Sequence, residues 1–188
     1  MRIQDTNSFR PAQGPGDAPG KGPAMKDLAE TAAGIDVPHE TGALIDHILT
    51  RYHQMHRDDL ASLMPLADRV ERVHADDPEA PAGLAAAIRR LAREMEDHMA
   101  KEEMILFPAM RAGGGPGIEH PIAVMRADHD DHAETIAQIR RLTDDLTPPD
   151  HACGSWHSLY GGVAALFDDL AAHIALENDV LFPRFEGA

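Results

Sequence analysis

Taken in steps of three and four, the apolar positions of this chain line up as long stripes. One stripe is Leu84, Ile88, Leu91, Met95, His98, Glu102, Ile105, and another is Leu159, Val163, Leu166, Leu170, His173, Glu177, Val180. That spacing marks a helix with one face turned to a core. Two more stripes share the period: Leu49, His53, His56, Leu60, Leu63 and Ile122, Met125, His129, His132, Ile136. The pattern predicts four helices, over about 42–74, 82–110, 121–143 and 155–182, with a kink near Pro65 and with Pro121 suited to a first turn. Turn-forming clusters at 76–81, 113–117 and 147–154 separate them, and no alternating strand pattern competes. Four helices with short loops imply an all-α, up-down-up-down four-helix bundle over 41–188. Ahead of it, eight of the thirteen residues in 11–23 are Pro or Gly, so 1–40 read as a flexible arm, with helix formers only over 24–33.

The stripes carry residues that do not belong in a core. Two contain a His followed four residues later by a Glu, which puts both side chains on adjacent turns of the inward face. Residues 98–108 match 173–183 at an offset of 75, and His53-x-x-His56 matches His129-x-x-His132 at 76, so the bundle reads as two related hairpins. Residues equidistant from the turn of an antiparallel hairpin share one height. The midpoints of His53 and His98, of His98 and His129, and of His129 and His173 fall at 75.5, 113.5 and 151, each beside or inside a turn. All four helices therefore present a histidine near one layer. A single inward histidine is more often a satisfied core residue, but two repeated His-x-x-x-Glu motifs with two more histidines at the same height point to a metal site. Spacing leaves His53 against His56, and His129 against His132, open.

Composition narrows the chemistry. Seventeen Lys and Arg against thirty-two Asp and Glu give a net charge of −15, which argues against attraction to nucleic acid or an anionic membrane. One cysteine, Cys153, excludes an internal disulfide and a thiolate cage, and its place in a turn reads as non-catalytic. The first fourteen residues hold no signal-like apolar region, and no apolar run approaches the roughly 18 residues of a membrane span, so a soluble cytoplasmic protein is expected. His47, His74, His120, His151 and His157 lie off the layer or near helix ends and read as solvated. Phe107-Pro108 and Phe182-Pro183 read as helix stops.

Four imidazoles and two carboxylates exceed one four-coordinate zinc and suit two metals. Each metal would take two histidines, with Glu102 and Glu177 bridging. Two-His-plus-carboxylate sites with open positions are those of non-haem iron that binds dioxygen, nitric oxide or a bridging oxide. Ferritin-type sites need a Glu three residues before the His, and here Met95 and Leu170 stand there.

Several strings resemble a known family. They are Ile45-Asp46-His47-Ile48 through Arg51-Tyr52-His53, Val70-Glu71-Arg72-Val73-His74-Ala75-Asp76, His98 through Pro108, Ala127-Asp128-His129-Asp130, His173-Ile174-Ala175-Leu176-Glu177-Asn178 and Leu181-Phe182-Pro183-Arg184. Over about 40–185 the chain resembles the repair of iron centres family of hemerythrin-like di-iron proteins. The resemblance implies two irons with an oxo or hydroxo bridge, held by His53, His98, Glu102, His129, His173 and Glu177. It leaves His56, His132 and Glu94 as neighbours that steady the ligands or line a path to them. It implies repair of iron–sulfur clusters damaged by nitrosative or oxidative stress, by supplying iron, with damaged iron–sulfur proteins as clients. Two alternatives share the site: an oxygen or nitric oxide sensor or carrier, and an enzyme reducing nitric oxide or peroxide. Many members begin with a small domain bearing a Cys pair. The first forty residues here contain no Cys, so that domain's part in the function is not expected of them.

Overall fold

The computed structural model describes residues 38–187, and the expected arm with its 24–33 segment lies outside the described residues. Four helices follow: α1 over 41–73, α2 over 84–111, α3 at Glu119–Leu142 and α4 at Gly154–Arg184. Among the described residues there is no strand. Local sequence explains the boundaries. α2 opens on Leu84-Ala85-Ala86-Ala87, strong helix formers, behind Gly83 at φ 91°, a conformation that suits glycine. α3 ends with Arg140 and Arg141 in its last turn, where cations complement the helix dipole. Pro121 sits in the first turn of α3, where its missing N–H costs nothing. Pro65 lies inside Gln54–Val73, which continues through it.

Cross-helix pairs fix the direction of each helix. Arg57 reaches Glu96 and Arg89 reaches Asp68, so rising numbers on α1 meet falling numbers on α2. Lys101–Asp128 and Thr135–Glu94 relate α2 and α3 in the same way. Arg126–Asn178, with Arg140 over the Phe167 ring, does so for α3 and α4. Arg51–Asp169 and the approach of Leu63 to Gly162 do so for α1 and α4. Every adjacent pair is antiparallel, as an up-down-up-down bundle requires. Such exposed ion pairs contribute at most about 1 kcal/mol each, so they set register more than stability.

The core is split by a polar layer. One apolar cluster, with Leu60, Val70, Leu84, Leu91, Ile139, Trp156 and Leu166, fills the end near the first and third loops. The other, with Leu44, Ile48, Leu106, Phe107, Ile122, Leu181 and Phe182, fills the opposite end. Between them are buried His53, His56, His98, Glu102, His129, His132, His173 and Glu177.

Three stretches are wound as π-helix: Ile48–His53 in α1, Glu102–Leu106 in α2 and Glu177–Leu181 in α4. A π turn inserts a residue, so the inward stripe beyond it moves on by one. Ile105, expected inward, is therefore 62% exposed, while Leu106 is buried. Likewise Leu181 replaces Val180 as the fully buried residue of α4, and Ile48 replaces Leu49 in α1.

The expectation that no segment is apolar enough to span a membrane needs correction. By length and composition, α4 contains a stretch apolar enough to cross one. Its Trp156, Leu159, Val163, Leu166 and Leu170 are buried in the bundle, which accounts for that hydropathy.

Two neighbouring glycines of α4 give opposite predictions. A Cβ on Gly162 would come 2.7 Å from Leu63 Cδ2, whereas one on Gly161 would meet nothing within 4 Å. Gly162→Val should destabilise the fold by about 1–3 kcal/mol through overpacking. Gly161→Ala should stabilise it by about 0.5–1 kcal/mol by restricting the unfolded chain. Urea denaturation of the two variants reads the opposite signs directly.

Candidate metal centre

The structure brings all six expected side chains together, each buried. His53 at the end of the α1 π segment faces His173 from α4, with ring centroids 5.1 Å apart. His98 from α2 faces His129 from α3, their Nε2 atoms 3.2 Å apart. The two carboxylates tie these pairs together. Glu102 Oε2 lies 3.3 Å from His53 Nε2 and 3.4 Å from His98 Nε2. Glu177 Oε1 lies 2.9 Å from His173 Nε2, and its Oε2 lies 3.1 Å from His129 Nε2. Each glutamate thus touches one histidine of each pair. Donor atoms of His53, Glu102, His173 and Glu177 all fall within 4.8 Å of one another, and so do those of His98, His129 and Glu177.

The layer is under-satisfied by protein alone. His53 Nε2, both Glu102 oxygens, Glu177 Oε2 and the Nδ1 atoms of His129 and His173 have no hydrogen-bond partner. An unmade buried hydrogen bond costs about 1–3 kcal/mol per group, more for charged ones. Burial, then repulsion from Glu177, holds the Glu102 carboxyl well above the usual range. Burial also pushes Glu177 up, but His173, His129 and His98 outweigh it and hold that carboxyl well below the usual range. Burial, reinforced by neighbouring imidazoles, pushes His53 down to about 4 and His98 down to about 3, so both are neutral with a lone pair free at neutral pH. Neutral imidazoles and inward carboxylates are the donor set that divalent first-row metals take. The donor sets of both groups fit a metal cation.

Behind the layer stand residues that sequence reasoning missed. His53 Nδ1 is 2.8 Å from Glu103 Oε1, and Arg57 donates to the same oxygen at 2.9 Å. His98 Nδ1 is 3.4 Å from Asp128 Oδ2, which Lys101 approaches at 2.7 Å. Tyr52 stacks on His173 with ring centroids 5.0 Å apart. Phe107 and Phe182, expected only to stop helices, stack on His53 and His129 at 5.7 and 6.2 Å. α2 in fact continues through Phe107 to Arg111. The one available signal was position: Glu103, beside an inward Glu102, must flank the neighbouring helix.

His56 and His132 are also buried, beside the layer. The His56 ring lies 5.3 Å from that of His173, and both its nitrogens lack partners. The His132 ring lies 5.1 Å from that of His98, and it hydrogen-bonds the Glu94 backbone. The Glu94 side chain accepts hydrogen bonds from Arg90 at 2.6 Å and from buried Thr135 at 2.8 Å. His47, His74, His120, His151 and His157 stay outside it, as expected. His74 Nε2 sits 3.2 Å from Cys153 Sγ, at the far loop end. Half-buried Asp77 and exposed Glu79 and His151 also gather there, with Asp77 and His151 already paired at 2.7 Å.

Residues 44–185 match the model of the Hemerythrin HHE cation binding domain. The chain is 48% identical over 141 residues to the iron-sulfur cluster repair protein YtfE of Citrobacter koseri, covering 75% of this chain and 64% of that one. The YtfE protein of Enterobacter sp. strain 638 is 49% identical over 143 residues, covering 76% and 65%. That of Escherichia coli strain SMS-3-5 is 48% identical over 141 residues, covering 75% and 64%. The chain thus spans 64–65% of the length of these relatives.

The buried histidines dictate the acid behaviour of the metal-free protein. His53, His56 and His98 titrate at about 4, 3 and 3 when folded, against 6.5 ordinarily. Between those values the unfolded chain holds protons that the folded one lacks. Stability from these groups is complete above pH 6.5 and drains away toward pH 4 and then 3. Glu102 works oppositely, keeping a proton that the unfolded chain gives up, and so costs stability as pH rises above 4.5. The unfolding free energy of metal-free protein, measured by urea titration, should therefore fall from pH 6.5 to 4.5, by about 1 kcal/mol per pH unit for each of the three histidines, with Glu102 returning about as much as one of them.

Proposed function

The chain belongs to the hemerythrin HHE cation-binding family, and on that premise we propose that it is a two-iron protein that restores iron–sulfur clusters damaged by nitrosative or oxidative stress, by supplying iron. In this reading His53 and His173 hold one iron, and His98 and His129 hold the other. Glu102 and Glu177 would supply carboxylates to both, and His56 and His132 stand beside the residues that would hold them. The contact of each carboxylate with one histidine of each pair carries the assignment. The relatives' name, iron-sulfur cluster repair protein, supports the function.

Iron bound there supplies an exchangeable metal with positions open to nitric oxide or dioxygen. The remaining work belongs to the chain. Phe107, Phe182 and Tyr52 wall the imidazoles with aromatic rings, and the two apolar clusters keep water from both sides. The neutral imidazoles of His53 and His98 meet a cation without first losing a proton. Damaged iron–sulfur proteins are the clients in this reading, and a reducing cytoplasm is its setting.

Protein purified without oxygen and loaded with ferrous iron should carry close to two irons per chain. His98→Ala or Glu177→Ala should reduce that to one or fewer. A single zinc, or no metal after loading, overturns the assignment. Mixed with an apo iron–sulfur acceptor, inorganic sulfide and a thiol reductant, the loaded protein should lose iron as clusters reappear. Reversible dioxygen binding without iron loss would make it a carrier instead, and repeated turnover of nitric oxide without iron loss would make it an enzyme.

A further inference from the structure

The four histidines at the centre are not held alike. His53 Nδ1 meets Glu103 Oε1 at 2.8 Å, and that carboxylate is fixed by Arg57 at 2.9 Å, itself fixed by Glu96 at 2.8 Å. With Nδ1 committed as donor to a carboxylate, the Nε2 lone pair is left facing Glu102, 3.3 Å away. His98 has the same kind of partner in Asp128. Its distance is longer, 3.4 Å, and Lys101 donates to the same oxygen at 2.7 Å.

The other two histidines have no such partner. The Nδ1 atoms of His129 and His173 are buried and unbonded. Rings hold them instead: Phe182 lies parallel to His129, with 7° between planes, and Tyr52 lies parallel to His173, with 5°. A stacked ring restrains tilt but selects no tautomer and allows rotation in the plane. The difference is written in the repeat. At the offset of 75 that relates the two His-x-x-x-Glu motifs, Glu103 corresponds to Asn178, whose Oδ1 is already taken by Arg126 at 2.9 Å.

Each histidine pair contains one member of each kind. His53 is carboxylate-backed and His173 is stacked, while His98 is carboxylate-backed and His129 is stacked. We propose that Glu103 and Asp128 are positioning residues that anchor one imidazole of each iron, leaving His173 and His129 as the imidazoles that let go when iron departs. This rests on the two-iron reading above. Glu103, with the shorter bond and the longer supporting chain, is the stronger anchor.

The test is iron release from anaerobically loaded full-length protein into excess ferrous chelator, alongside irons per chain and the melting midpoint. Glu103→Ala should release iron about 10–100-fold faster, the usual effect of removing a carboxylate behind a ligand histidine. Glu103→Gln, which can still accept from Nδ1–H, should restore much of the slow rate. Asp128→Ala should accelerate release less than Glu103→Ala. Asp68→Asn, which removes a surface pair with Arg89, should leave the rate unchanged. The proposal is overturned if Glu103→Ala carries two irons and releases them at the parent rate. It is equally overturned if Asp68→Asn accelerates release as much, or if Glu103→Gln releases as fast as Glu103→Ala. Failure of the parent chain to take up iron would instead defeat the two-iron reading itself.

Discussion

The structure depends on burying two carboxylates among four imidazoles halfway along a helical bundle. Glu102 and Glu177 are wholly buried, and a buried charge without compensation costs several kcal/mol. Protein alone compensates it by unequal sharing, with one carboxyl held protonated and the other kept ionised by histidines. Two proposed cations remove that conflict. The arrangement explains why the apolar core comes in two pieces rather than one. It also explains why the ion pairs nearest the layer, through Glu103 and Asp128, end on its histidines instead of merely decorating the surface.

The π turns belong to the same constraint. Each begins or ends on a residue of the layer: His53, Glu102 or Glu177. A glutamate four residues after an inward histidine must itself face inward, and a regular helix would then carry Ile105 toward the core. The extra residue brings Leu106 and Phe107 inward together, so one side chain closes the apolar cluster while the next stacks on His53. The cost of a poorly bonded turn is met where it aims a polar side chain and resets the packing below it.

Helical periodicity and loop positions made the bundle legible, because 3.6-residue stripes and turn residues are local properties. The shared height of the four histidines was legible for a similar reason, since antiparallel hairpins turn sequence distance into axial distance. Rotation about each helix axis was not legible. The stripes assumed uniform winding, so they placed Ile105, Val180 and Leu49 inward and gave no hint of the inserted residue. Spacing could not separate His53 from His56, because both are inward and buried, and the structure distinguishes them by the carboxylates that only His53 touches. Glu103 and Asp128 were not singled out by the stripes, since their role depends on which helix stands beside them.

The repeat has a consequence for assembly. The first hairpin, α1 with α2, holds His53, His98 and Glu102; the second, α3 with α4, holds His129, His173 and Glu177. Yet His53 pairs with His173, and His98 with His129, so in the two-iron reading each iron draws one imidazole from each hairpin. An undocked hairpin offers each iron a single histidine and half of the bridging carboxylates, too little for tight binding. Metal affinity is then affinity for the docked state, and iron stabilises the bundle by as much as it prefers that state to the separated hairpins. In the proposed release, the same geometry lets iron leave without unfolding. The carboxylate-backed histidines belong to the first hairpin and the stacked ones to the second, so loosening the second hairpin's imidazoles opens both irons while the first keeps its hold.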